Sequence, residues 1–177
     1  MTDRQEFKVL RTYADFEVRE YLPCVIAEVK VSGQYSAATS GAFSSLFNYI
    51  SKGNKSSEKI AMTAPVITAQ KEDSSESAEW YVSFVMPSGS TVGRLPHPKD
   101  SQIRLRELVA ETCVAKSFRG RATDERSQKM VKELRASASH ANIPLSEETR
   151  ICRFDPPFKP GFLQYNEIVI PAHLEAI

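Results

Sequence analysis

The chain has 177 residues, with 23 Lys+Arg against 22 Asp+Glu and a formal charge of +1. That balance excludes the strong basic excess by which proteins bind polyanions through counterion release, so no nucleic-acid partner is expected. With 41% hydrophobic and 25% charged residues the composition is that of a folded protein rather than a disordered one, and the length suits a single domain over residues 1–177.

The longest stretch free of formal charge, Val31 to Ser51, is rich in Ser, Gly, Thr, Asn and Gln and cannot supply the ~20 apolar residues of a membrane span. The opening residues Met1 to Glu6 carry charges where a secretory signal has its apolar stretch. A cytoplasmic protein without membrane contact is the expectation. Cys24, Cys113 and Cys152 are odd in number and widely spaced, with no Cys-x-x-Cys pair, so they read as small core hydrophobes rather than a disulfide framework or zinc site.

From Phe16 to Ser32 the pattern has period two, broken at Pro23. Val25, Ala27, Val29 and Val31 share one parity, Glu28, Lys30 and Ser32 the other, which predicts two strands with one buried face. Gly33 ends them. A helix follows, with candidate N-caps between Ser36 and Thr39 and an apolar stripe of Phe43, Leu46, Phe47 and Ile50; it stops at Lys52-Gly53-Asn54, where Gly suits a left-handed cap. The apolar runs Lys59–Thr68 and Trp80–Met86 form a hairpin whose tip, residues 71–77, has no apolar residue. Pro87, Pro96 and Pro98 mark a long connection. Strands then fall at Ile103–Leu108 and Thr112–Phe118, a helix at about Thr123–Ser139, and strands near Thr149–Phe154 and Glu167–Ile170.

The order β-β-α-β-β therefore occurs twice, over about 13–87 and 100–171, and an offset of 87 residues places Arg19-Glu20 on Arg106-Glu107 and Gly33 on Gly120. The expected fold is α+β: two pseudo-twofold duplicated units forming an eight-stranded distorted β-barrel or twisted sheet with two helices.

Several segments carry a family resemblance. They are Lys59-Ile60-Ala61-Met62-Thr63-Ala64-Pro65-Val66, then Phe84-Val85-Met86-Pro87-Ser88 with Leu95-Pro96-His97-Pro98, and Phe154-Asp155-Pro156-Pro157-Phe158-Lys159-Pro160-Gly161 leading to Asn166-Glu167. In order and spacing they resemble the SOUL heme-binding protein family across about Tyr13 to Pro171. The resemblance implies an eight-stranded distorted barrel with two helices, and reversible binding of heme or protoporphyrin in a shallow apolar groove beside the first helix. It also implies site residues: Phe43 and Phe47 take positions where described relatives carry Met, Ser40 a position where they carry Arg, and Lys159 matches a loop Lys. Leu46 would line the helix edge and Phe158 the loop.

On a helical wheel Leu46, Ile50 and Phe47 lie within about 60° of Phe43, and Phe47 falls at the stripe's edge beside Ser40 and Ser44, where its ring can be partly exposed. Read without the resemblance, Phe43 and Phe47 are equally well core residues. With Ser40 in place of Arg, a ligand's carboxylates would turn to Lys52, Lys55 or Lys159. Iron ligands are scarce. His97, His140 and His173 read as surface residues, Glu20 stands where some relatives carry a proposed axial His, Met62 reads as core packing, and the order Pro23-Cys24 is the reverse of a heme-regulatory dipeptide. A monomer that captures the porphyrin face without a strong protein ligand to iron follows.

Other functions are open. No Gly-x-Ser-x-Gly, His-Glu-x-x-His or phosphate loop supports an enzyme. Glu167 is the acid of most interest: either it meets a cationic ligand, as in effector-binding domains of similar duplicated fold, or it pairs with an Arg at a sheet end. Six basic residues around the second helix, Arg119, Arg121, Arg126, Lys129, Lys132 and Arg135, against Asp124, Glu125 and Glu133, form either a solvated face or a dock for an acidic protein partner. A sensor of some other amphipathic small molecule would use the same groove.

Overall fold

The computed structural model describes residues 2–71, 79–156 and 158–174. The hairpin tip, beyond Lys71, lies outside the described residues.

Eleven strands and two α-helices follow in the order β1 (Asp3–Arg4), β2 (Phe7–Thr12), β3 (Glu17–Tyr21), β4 (Cys24–Ser32), α1 (Tyr35–Ile50), β5 (Thr63–Ala64), β6 (Val66–Gln70), β7 (Glu79–Val85), β8 (Ile103–Leu108), β9 (Glu111–Arg119), α2 (Asp124–His140), β10 (Thr149–Arg153) and β11 (Tyr165–Pro171). Nine strands form one antiparallel sheet ordered β2-β3-β9-β11-β10-β6-β7-β4-β8, while β1 and β5 make a small parallel pair. The two helices and the curled, mostly antiparallel sheet make an α+β half-barrel. Its edges, β2 and β8, do not pair with each other, so the barrel is open.

The ninth strand is the difference from the expected eight. β2 is exposed along all six residues, and its register on β3 slips at Leu10, between Val9 and Arg11. A strand with neither face buried leaves no alternation to read.

The first strand of each half lies in the other half's sheet: β3 pairs with β9, and β8 with β4. The two pairings share one register, since Glu17↔Ala115 maps onto Glu28↔Arg104 by the 87-residue offset. At the centre β6 pairs with β10, with Val66 opposite Arg153.

Each helix packs on its own half. Ala42, Leu46, Tyr49 and Ile50 of α1 bury against Val25, Ala27, Val29, Val82 and Phe84; Val131, Leu134 and Ala138 of α2 bury against Val114, Phe118, Ile151 and Ile168. The opposite, concave face carries its own apolar cluster of Tyr21, Ile26, Ile67, Val85, Cys113, Cys152 and Val169. The sheet is thus covered on both sides, which corrects the one-sided reading of β4: Glu28 is buried there and accepts from Arg106 at 2.8 Å.

α1 begins earlier than the Ser36–Thr39 caps implied, at Tyr35, with Gln34 at the cap and no side-chain cap bond. Its hydroxyls bond back within the helix instead: Thr39 Oγ1 donates to Tyr35 O at 2.7 Å and Ser44 Oγ to Ser40 O at 3.1 Å. After Ile50 the left-handed residue is Lys52, at φ 94°, rather than Gly53. Gly53 meets a different demand: its N–H donates to Asn48 O at 2.8 Å, and a Cβ would sit 2.6 Å from that oxygen. α2 starts conventionally, Thr123 accepting from Arg126 N–H, with Asp124 and Glu125 facing the positive end of the dipole. No described helix is long and apolar enough to cross a membrane.

Candidate functional site

Because each helix covers only its own half, an open cleft of ≈ 420 Å³ remains between them above the central β6–β10 pair. One wall is the first half of α1, with Thr39, Ser40, Phe43 and Ser44. Val66 forms the floor. The far wall comes from the second half, with Arg121 and Ala122 ahead of α2, Arg153 and Asp155 at the end of β10, and Gln164 and Asn166 leading into β11. Asn166 is 1% exposed and donates from Nδ2 to Gly120 O at 2.6 Å, which holds the Arg121–Ala122 segment against the cleft. Gly120 has φ 111°, a conformation that L side chains rarely adopt.

Of the residues named from the sequence, Ser40 and Phe43 line the cleft. The half-buried Phe43 ring stacks on Phe47 at 6.0 Å and meets Phe84 edge-on at 5.4 Å. Phe47 lies beyond the lining, 50% exposed, while Leu46 is fully buried against the sheet and presents nothing to the cleft. Phe158 is 87% exposed on the loop after β10. Lys159 pairs with Asp155 at 2.9 Å, so its charge is already matched. Neither loop residue lines the cleft, but the base of their loop does, through Asp155 and Gln164. Asp155 also accepts from Tyr165 N–H at 2.7 Å; burial raises its pKa, yet that hydrogen bond and Lys159 outweigh burial and hold it below the usual carboxylate range.

The cleft's cations are Arg121 and Arg153; the sequence named Arg121 only as part of the basic set around α2, a solvated face or a dock for an acidic partner, and did not single out Arg153. Neither has a carboxylate partner among the described residues; the only side chain Arg153 bonds is Thr68, at 3.5 Å. They reach α1 from the other half of the chain, and no local spacing announces that. Three other basic residues near α2 bond backbone carbonyls, Arg119 donating to Leu163 O, Arg126 to Arg119 O and Arg135 to Ser146 O.

Glu167 lies on the concave side, beside a small cavity of ≈ 100 Å³. Both its oxygens accept from Arg19, and Tyr165 Oη donates to it at 2.6 Å. Phe7 covers the Arg19 guanidinium, with 4.0 Å from the carbon centre to the ring centroid. Burial and the bond to Glu167 push the Tyr165 phenol up to about 12. Of the two readings of this acid, the pairing with Arg is the one found.

His97, His140 and His173 are exposed and none lines the cleft; Met62, 36% exposed, and the half-buried Glu20 also lie outside it. Among the described residues no group of three or more His, Cys, Asp or Glu side chains comes together.

Comparison with known proteins places this geometry. No curated protein sequence matches the chain. Among solved structures, the C-terminal domain of EcmrR is similar with a TM-score of 0.66 and 13% identity, over 90% of this chain and 98% of that one. A hydrolase from Listeria innocua is similar with a TM-score of 0.60 and 10% identity, over 92% and 94%. SAV2435 bound to tetraphenylphosphonium is similar with a TM-score of 0.54 and 9% identity, over 89% and 93%. At such identities the likeness is one of fold. The profile described as SOUL heme-binding protein matches residues 2–171, and the chain is therefore a member of the SOUL heme-binding protein family.

Proposed function

We propose that the chain binds heme or a related tetrapyrrole reversibly in the cleft beside the first half of α1, as a buffer, carrier or sensor, and catalyses no reaction on it. The observation that carries this reading is the pairing, in one open cleft, of an apolar wall (Phe43, Val66, Ala122) with two arginines that have no carboxylate partner among the described residues. A porphyrin presents the complement: a flat apolar ring with two acidic arms. The half-exposed Phe47 ring, stacked on Phe43, extends the apolar surface beyond the cleft. Since no histidine lines the cleft, ring capture rather than an imidazole on iron supplies the affinity, and metal-free protoporphyrin is a ligand comparable to heme.

The experiment is a titration with hemin and, separately, protoporphyrin, following the Soret band and the fluorescence of Trp80, with Phe47→Asp alongside. Saturation at one equivalent, weakened in the variant, is expected. No saturable binding overturns the reading, and a hundredfold preference for hemin overturns the part without an iron ligand.

A second reading, binding of a lipophilic cation such as the tetraphenylphosphonium on SAV2435, would look to Glu167. Arg19 already occupies that acid, which favours the acidic ligand. As for hydrolysis, Thr39 and Ser44 spend their hydroxyls on helix carbonyls, which supports binding over catalysis.

A further inference from the structure

Beyond Thr39 and Ser40 the cleft continues into a second opening of ≈ 670 Å³ between the start of α1 and the start of α2, sharing Arg121 and Arg153 with the first. Three side-chain donors at this end are sealed from solvent yet have no hydrogen-bond partner among the described residues: Tyr35 Oη, Trp80 Nε1 and Arg153 Nε. They sit on side chains packed together, the Tyr35 ring edge-on to Trp80 at 5.2 Å and the Arg153 guanidinium 6.0 Å from the Tyr35 ring centre. Buried polar groups in folded proteins are almost always paired, so three orphans in one place call for an explanation.

Their chemistry names the missing partner. An indole N–H and a guanidinium N–H can only donate, and the arginine adds a charge without a carboxylate. Burial raises the Tyr35 pKa, so its phenol also keeps a proton to give. What satisfies all three is an anionic acceptor. The nearby acids do not serve: Asp155 is held by Lys159 and Tyr165 N–H, and Asp124, in the first turn of α2, forms no ion pair with either arginine.

We infer that this end of the cleft is a carboxylate subsite, in which Trp80, Tyr35, Arg153 and Arg121 receive the acidic arm of a ligand whose apolar body lies against Phe43 and Val66. Trp80 is 5% exposed, Tyr35 and Arg153 are half-buried, and all three line the second opening. The inference rests on the tetrapyrrole reading for the ligand's ring, though not for the acidic group.

The test uses the intact chain and two probes with the same ring but different arms, protoporphyrin with two carboxylates and its uncharged dimethyl ester. The diacid is expected to bind at least ~10-fold tighter, as one or two charge-assisted hydrogen bonds would give, and Arg121→Gln and Arg153→Gln should each bring the ratio toward one. Arg121 is exposed, so its variant reports even if Arg153→Gln fails to fold. Trp80 is the only tryptophan, and its indole N–H resonance should move downfield with the diacid more than with the ester. Equal affinities, or a preference untouched by both arginine changes, overturn the subsite while leaving the tetrapyrrole reading intact. If neither porphyrin binds, that reading falls and the subsite is judged with 3-phenylpropionate against 3-phenylpropanol: an indole shift with the acid alone supports it, and no shift with either overturns it.

Discussion

Arg19 donates to both carboxylate oxygens of Glu167 at 2.9 Å each, across 148 residues of sequence. The two meet because β9 lies between β3 and β11, so side chains on one face of the sheet converge across it. Both are less than a tenth exposed. Burial opposes the charge on Arg19, but Glu167 and Tyr21 more than compensate and hold its pKa above the ordinary value. Removing Arg19 leaves Glu167 in the interior without its cationic partner and with only the Tyr165 hydroxyl as a side-chain donor, so Arg19→Met is expected to cost about 3–5 kcal/mol in urea unfolding. Arg19→Met with Glu167→Leu should recover most of that. Additive losses would show that the ion pair is not the unit that matters.

Adjacent residues on α1 should separate stability from binding. Leu46 is fully buried, and Leu46→Ala is expected to lower stability by about 2–5 kcal/mol. Phe47, half exposed, can become Asp with a loss of about 1 kcal/mol or less while porphyrin affinity falls. Thermal melts beside porphyrin titrations check both, and a collapse of Phe47→Asp would return its ring to the core.

The loop after β10 should loosen in acid. Asp155 titrates lower in the folded chain than in the unfolded one, so the stability it contributes is present above the ordinary carboxylate pKa and fades as pH falls through its depressed folded value. Below that range the Tyr165 amide loses its carboxylate acceptor, and its hydrogen exchange, corrected for intrinsic rate, should speed up. Asp155→Asn should remove this acid-dependent change; an unaltered pH profile in the variant would assign it to another group.

Two glycines at the ends of one argument should respond with opposite signs. At Gly53 an added Cβ meets Asn48 O at 2.6 Å, so Gly53→Ala should destabilise by about 1–3 kcal/mol. At Gly41, inside α1 with open space where a Cβ would go, Ala should stabilise by about 0.5–1 kcal/mol through helix propensity. Chemical denaturation of both variants tests the pair, and a loss at Gly41 would show that α1 is constrained in a way its packing does not reveal.

Both helices were legible because each buries one face and so writes its period into the sequence, and the central strands because their apolar, β-branched runs are bounded by turn residues. β2 was not, being exposed along its length with a slip at Leu10. Helical spacing put Phe47 on an exposed edge but could not tell on which side of Phe43 the sheet would lie, and Leu46 proved to face it. That Arg121, read only as part of a basic face around α2, and Arg153 would meet α1 was hidden for a topological reason: each is distant in sequence from the helix it faces, and only the order of central strands brings them to it. For Glu167 the sequence left two readings, and its partner on β3 became visible only once β9 was seen to lie between them.

The exchange of β3 and β8 between the halves has a consequence for how the molecule comes into being. A nascent chain that has reached Pro87 possesses one helix and the strands β1 to β7, yet β4 still lacks the neighbour that β8 will supply, and β3 has no β9 to lie against. With β6 also waiting for β10, the early product carries three raw edges that only later synthesis can close. Cut within the proline-rich connection, the halves should remain poorly structured apart and assemble when mixed, two copies of one plan that are each unfinished without the other.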